Sequence, residues 1–120
     1  MKHLQIHTRL DRQEAQSIEV SISGLSCLTI QNTETFVPML LSMVAQPNTN
    51  LYLSVRNIRF IDSKGFDCLN LLSSVAERSN STFSLIDVEP NLMDLIKMVK
   101  QYSIWHLKNV FPLEQEPNVA

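Results

Sequence analysis

The chain has 120 residues, 44% of them hydrophobic, with ten Lys and Arg against twelve Asp and Glu and a formal net charge of −2. That length fits one domain, and folding at this size buries roughly two-thirds of the surface the unfolded chain exposes. A pI near 5.9 leaves no basic stripe for a nucleic-acid backbone, and the longest apolar stretch, Val37 to Ala45, is interrupted by Pro38 and Ser42 and too short for direct membrane insertion.

Residues 3–9 carry a weak alternation through Leu4 and Ile6, and Ser17-Ile18-Glu19-Val20-Ser21-Ile22-Ser23 alternates polar and apolar without a break. This period of two predicts strands with one buried face. The turn-like Asp11-Arg12-Gln13 between them makes a hairpin or an adjacent edge strand the expectation. Phe36, Val37, Leu40, Leu41 and Val44 then recur at helical spacing, which predicts a helix over 34–46. Pro38 is best tolerated in a first turn, so the start falls near Thr33 or Thr35.

Leu51 to Val55 reads as a short apolar strand, and Phe66, Leu69, Leu72, Val75 and Ala76 mark a second helix over about 63–78. Thr82 to Val88 is rich in strand formers. Glu89-Pro90-Asn91 opens a third helix with Leu92, Leu95, Ile96 and Val99 as its stripe, and Ile104 to Phe111 is a short final element. The order β-β-α-β-α-β-α-β predicts an α/β domain with its later strands parallel. Right-handed crossovers then gather the strand-to-helix loops on one edge, where such folds place their function.

Composition removes further chemistry. With only Gly24 and Gly65 present, the three-glycine dinucleotide fingerprint cannot occur, and the spacing is wrong for a P-loop. No cofactor is expected. His3 and His7 sit in a strand, His106 is isolated, and Cys27 and Cys68 lack a CxxC partner, so no metal site is expected either. Two cysteines and a charged opening segment point to a reduced, cytoplasmic setting. There is no Gly-x-Ser-x-Gly elbow, and no histidine lies near Ser63 in sequence, so a serine hydrolase is not expected.

One segment stands out, Asn57-Ile58-Arg59-Phe60-Ile61-Asp62-Ser63-Lys64-Gly65-Phe66, at a strand-to-helix junction. Asp62 or Ser63 can cap the second helix, because a short side-chain oxygen accepts the free N–H groups of a first turn. That reading is purely structural. The functional one makes Ser63 a phosphate acceptor, since a helix N-terminus tolerates the added charge of roughly −1.5 to −2 without unfolding. Gly65 would allow another backbone to approach closely. Asp87 and Glu89 lie at a second junction on the same edge, as dipole-complementing acids or part of a docking rim, and Arg56 and Arg59 read as solvated loop charges or as partners for a phosphate or an acidic surface.

Phe60 to Phe66, after an apolar strand and before an apolar helix, resembles the signature segment of STAS domains, and more narrowly of bacterial anti-sigma factor antagonists. The likeness extends through Ser23-Gly24 and Val88-Glu89-Pro90 over most of the chain. It implies a STAS fold over residues 1–111, with a mixed sheet of four to five strands, three to four helices and a tail at 112–120. It implies no catalytic activity but a partner switch controlled by phosphorylation. The unphosphorylated form would bind an anti-sigma factor that is also a serine kinase with a histidine-kinase-like ATPase fold, and a PP2C-type serine phosphatase would reset it. Carried over, Ser63 is the acceptor, and Asn57, Arg59, Asp62, Ser63, Lys64, Gly65 and Phe66 form the partner-binding segment. The chain departs from the family pattern at Cys27, where an acidic residue is usual, at Lys64, where a small residue is commoner, and at Ser103, in place of a glycine. The same fold also implies an alternative, a subunit of a membrane (lipid) transport complex docked on its ATPase.

Overall fold

The unbroken alternation around Val20 forms a strand as expected, β2 (Gln16–Ser23), with Ile18, Val20 and Ile22 buried and Glu19 exposed. The computed structural model describes residues 3–10, 15–102 and 107–113. β1 (His3–Leu10) pairs antiparallel with β2 along its whole length. The expected turn at 11–13 lies outside the described residues.

After β2 come β3 (Cys27–Leu28), α1 (Ile30–Val44), β4 (Thr49–Ser54), β5 (Phe60–Ile61), α2 (Ser63–Arg78), β6 (Thr82–Val88), α3 (Pro90–Tyr102) and β7 (Asn109–Pro112). The main sheet has the order β1-β2-β4-β6-β7, and all its pairs after the first are parallel. This is the predicted mixed α/β architecture, with five strands in the main sheet and three helices among the described residues. One register row, Ile6, Val20, Leu53, Leu85 and Val110, crosses all five strands. From β2 onward the chain steps across the sheet in one direction. Crossovers of the usual right hand therefore lay the three helices on one face. Leu40 and Val44 of α1, Leu69 and Leu72 of α2, and Leu92 and Ile96 of α3 close the core over that row, none more than 2% exposed.

Several boundaries differ from the sequence expectation. α1 starts at Ile30, not near Thr33 or Thr35, and Pro38 sits inside it rather than in its first turn. The start is fixed by polar side chains that bond to backbone. Thr29 N–H donates to Asn32 Oδ1 at 2.9 Å, Asn32 Nδ2 donates to the Cys27 carbonyl at 2.9 Å, and Thr33 Oγ1 donates to the Thr29 carbonyl at 2.8 Å. Those bonds let Asn32 and Thr33 be buried, which interrupts the apolar spacing without ending the helix. Pro38 and Glu34 are both exposed, so the carbonyl that loses its helical donor faces water.

At the far end, β7 takes in Pro112, and Leu113 N–H donates to the Val88 carbonyl at 2.9 Å. Residues 103–106, which include Ser103, Trp105 and His106, and the tail from 114 onward lie outside the described residues. No helix among the described residues is long and apolar enough to cross a membrane.

Candidate functional site at the start of α2

β4 ends at Ser54, and the chain turns through a bond from Ile58 N–H to the Val55 carbonyl at 3.0 Å. Ile58 is fully buried and anchors the loop. The next residues pair with a segment just after β2 for which the sequence pattern predicts no element. β5 lies parallel to β3 with Phe60 opposite Cys27 and Ile61 opposite Leu28. Arg59 N–H donates to the Ser26 carbonyl at 2.7 Å, and Asp62 N–H to the Leu28 carbonyl at 3.0 Å. This two-stranded patch ties the loop after β2 to the loop before α2. Neither strand is longer than two residues, too short for a periodic pattern.

Asp62 is the N-cap of α2, with extended φ and ψ of −82° and 178°. Its Oδ1 accepts the N–H of Gly65 at 2.8 Å, and its carbonyl accepts the N–H of Phe66 at 3.0 Å. Of the two caps the sequence allowed, Asp62 does the capping, which leaves Ser63 as the first helical residue. Ser63 is exposed, and its hydroxyl has no hydrogen-bond partner among the described residues. Its position puts it beside the open N–H groups and the positive end of the α2 dipole.

Beneath Ser63 the helix start is packed hard. A methyl group on Gly65 would stand 2.7 Å from both the Leu28 carbonyl oxygen and Ile61 Cγ2. The close backbone expected at Gly65 is therefore the chain's own. Gly65 and Phe66 are buried, so they support the site from below, Asp62 is half-buried, and Asn57, Arg59, Ser63 and Lys64 are exposed, with Asn57 and Arg59 lining a separate hollow beside Gly24 to Cys27. A groove opens beside Ser63 between the start of α2 and α3, floored by Phe60, Phe66, Leu95, Met98 and Val99. The contribution of α3 to this site was not expected from sequence. Their spacing predicts Leu95 and Val99 for the buried stripe, but they are half-buried and line the groove.

At the neighbouring junction Asp87 is neither a helix-cap acid nor a free rim charge. It has φ of 59°, accepts from Ser54 Oγ at 2.7 Å through Oδ2, and pairs with Arg56 at 3.3 Å through Oδ1. Arg56 is thus held by Asp87 rather than simply solvated. Glu89 contributes its carbonyl, which accepts the Met93 N–H at 2.8 Å, and Pro90 occupies the first position of α3, where its missing N–H removes no helical bond. Among the described residues no three His, Cys, Asp or Glu side chains gather in a metal-binding arrangement.

No protein-family model matches the chain, and no curated protein sequence matches it. A solved structure does. The murine Solute Carrier 26 family member A9 (Slc26a9) anion transporter, in its inward-facing state, superposes over 93% of this chain with a TM-score of 0.68 at 15% identity. The chain spans 21% of the length of that transporter chain, about a fifth. At this identity the likeness is one of fold. The chain has a STAS-type α/β fold.

Proposed function

We propose that the protein is a non-enzymatic partner-switching regulator of the anti-sigma factor antagonist type, with Ser63 as its phosphate acceptor. The observation that carries this reading is the division of labour at the start of α2. Asp62 takes the capping role through Gly65 N–H, and the hydroxyl next to it stays exposed and unengaged. A kinase partner moves the γ-phosphoryl group of ATP to Ser63 Oγ, with loss of the hydroxyl proton and release of ADP. A PP2C-type phosphatase hydrolyses the ester.

The physical effect of the phosphate is confined to the surface. The helix N-terminus accommodates the anion, and no described hydrogen bond to the Ser63 side chain is broken. A partner docked over Phe60 and the α2 start instead meets a dianion next to Asp62 and Asp67, which opposes docking by repulsion and by desolvation. Lys64, the next residue in the chain, offsets that charge in part.

The test is an affinity pull-down from the native lysate with Ser63→Ala and Ser63→Asp baits, read by mass spectrometry. A kinase-like ATP-binding partner enriched on the alanine bait and missing from the aspartate bait supports the switch. The second reading, a subunit docked on a transporter ATPase, takes its motive from the fold shared with an anion transporter. An ATPase of that kind held equally by both baits would replace the first reading with the second.

A further inference from the structure

The main sheet ends in two edge strands, and they differ. β7 is four residues long, takes in Pro112, and shifts register against β6 between Leu85 and Val88. A short strand with a proline and an irregularity is a poor template for further pairing. β1 has none of these features. It is eight residues long, holds one register with β2 from His3 to Leu10, and contains no proline and a single Lys or Arg, Arg9. Among the described residues no strand pairs with its outer side.

The same strand leaves an apolar row unfinished. Val20, Leu53 and Leu85 are fully buried beneath the helices, yet Ile6, the first member of their register row, is 42% exposed. The helical layer stops short of β1. An occupant of this edge has to supply backbone donors and acceptors along the strand and an apolar residue opposite Ile6.

A second copy of β1 supplies both. Identical strands related by a two-fold axis perpendicular to the sheet run antiparallel, and each outward N–H then meets a carbonyl of the same strand in the other copy. That axis keeps the helices of both copies on one face. With the axis at Ile6, Ile6 stands opposite itself, Gln5 opposite His7 and Leu4 opposite Thr8, and the apolar row runs on into Val20 of the second copy. β1 holds no acidic residue. Its two Arg9 positions would lie about 20 Å apart along the strands, beyond a screening length of about 8 Å.

We infer that the protein self-associates through β1, two copies pairing antiparallel about Ile6 to join their five-stranded sheets into one. About six to eight backbone hydrogen bonds form across the axis. A single strand pair buries less than the roughly 1,200 Å² of a standard interface, so the dimer is reversible. Pairing occupies β1, and β7 is blocked, so association closes at two copies. The contact is separate from the proposed switch, because the loop that carries Ser63 follows β4, two strands inward.

Sedimentation velocity of the full chain from about 10 μM to 1 mM, the range suited to a small interface, should show monomer passing to dimer and nothing larger. Ile6→Lys sets two ammonium groups opposite each other and should raise the dissociation constant about tenfold or more. Met98→Lys, at another exposed apolar position, should leave it unchanged. In wild type mixed from isotope-labelled and unlabelled chain, half-filtered NOEs should join Ile6 to Ile6 of the second copy. That measurement uses no variant, so it decides the matter even where Ile6→Lys does not fold. Monomer throughout, species growing past a dimer, a dimer indifferent to Ile6→Lys, or one lost with Met98→Lys overturns the inference. None of these outcomes depends on the bait comparison at Ser63, which can fail while the dimer stands, and the reverse.

Discussion

Leu28 and Gly65 approach so closely that a methyl group on Gly65 would stand 2.7 Å from the Leu28 carbonyl oxygen. That oxygen already accepts the Asp62 N–H at 3.0 Å, so it cannot retreat without loosening the N-cap of α2. Gly65→Ala is therefore expected to destabilise the fold by about 1–3 kcal/mol through overpacking, read as a lower urea midpoint with an unchanged slope. A wild-type midpoint would mean that the loop at Leu28 yields freely and does not brace the site.

Asp62 supports the same turn from its other side. Asp62→Ala removes the acceptor of the Gly65 N–H and should cost about 0.5–2 kcal/mol. Asn keeps a side-chain oxygen, so Asp62→Asn should recover most of the loss. Hydrogen exchange at the Gly65 amide separates the two, with protection falling in the alanine variant and largely kept in the asparagine one. Equal exchange in both would remove Asp62 from the capping role.

Asp87 combines a left-handed backbone with a mostly buried carboxylate, its side chain 13% exposed. Alanine there loses the Ser54 bond and also adopts positive φ at an intrinsic penalty of about 1–2 kcal/mol, whereas Asn tolerates that conformation. The expected order of destabilisation is Asp87→Ala above Ser54→Ala above Arg56→Ala. The last is within about 1 kcal/mol, because the Arg56 side chain is 59% exposed and its ion pair is screened. Urea midpoints check the order, and an Arg56→Ala loss as large as that of Asp87→Ala would contradict it.

Pro38 lies inside α1 with no backbone N–H to give. Pro38→Ala restores one helical donor on the exposed side and removes the ring's crowding of the preceding turn. It also frees the unfolded chain, which offsets about 0.4–1 kcal/mol of the gain. The net expectation is a stabilisation of about 1–2 kcal/mol, below the full helix penalty of about 3 kcal/mol for proline, since the carbonyl that lacks a donor belongs to an exposed residue. A lower melting temperature in the alanine variant would show that the helix depends on the proline.

What could be read from sequence tracks where physical signals are local. The span of α2 was legible because Asp62 marks its start and Phe66, Leu69, Leu72 and Ala76 keep a helical spacing to its end. β6 was legible from the run of strand formers between Ser81 and Glu89. The start of α1 was not, because burial of Asn32 and Thr33 depends on bonds to Cys27 and Thr29 that apolar spacing cannot report. The Asp62–Ser63 pair was visible as a helix cap, but which of the two does the capping required the Gly65 N–H geometry. The groove was hidden for another reason. Its walls come from α2 and α3, separated in sequence by the whole of β6, and Leu95 and Val99 obey the same periodicity as core residues.

Ser63→Asp separates a docking switch from a folding switch. Aspartate at the first helical position faces the positive end of the α2 dipole, an interaction worth about 0.3–1 kcal/mol in favour of the folded state. Against it stands repulsion from Asp62, while Lys64 adjoins the site as a compensating charge. Because no described bond to the Ser63 side chain is lost, these terms should leave stability within about 0.5 kcal/mol of wild type. Thermal melts of wild type, Ser63→Ala and Ser63→Asp should therefore nearly coincide, and amide spectra should differ only around residues 59–67. If the aspartate variant instead melts early or its spectrum collapses, phosphorylation would act by unfolding the domain, and loss of a partner would say nothing about the surface beside α2.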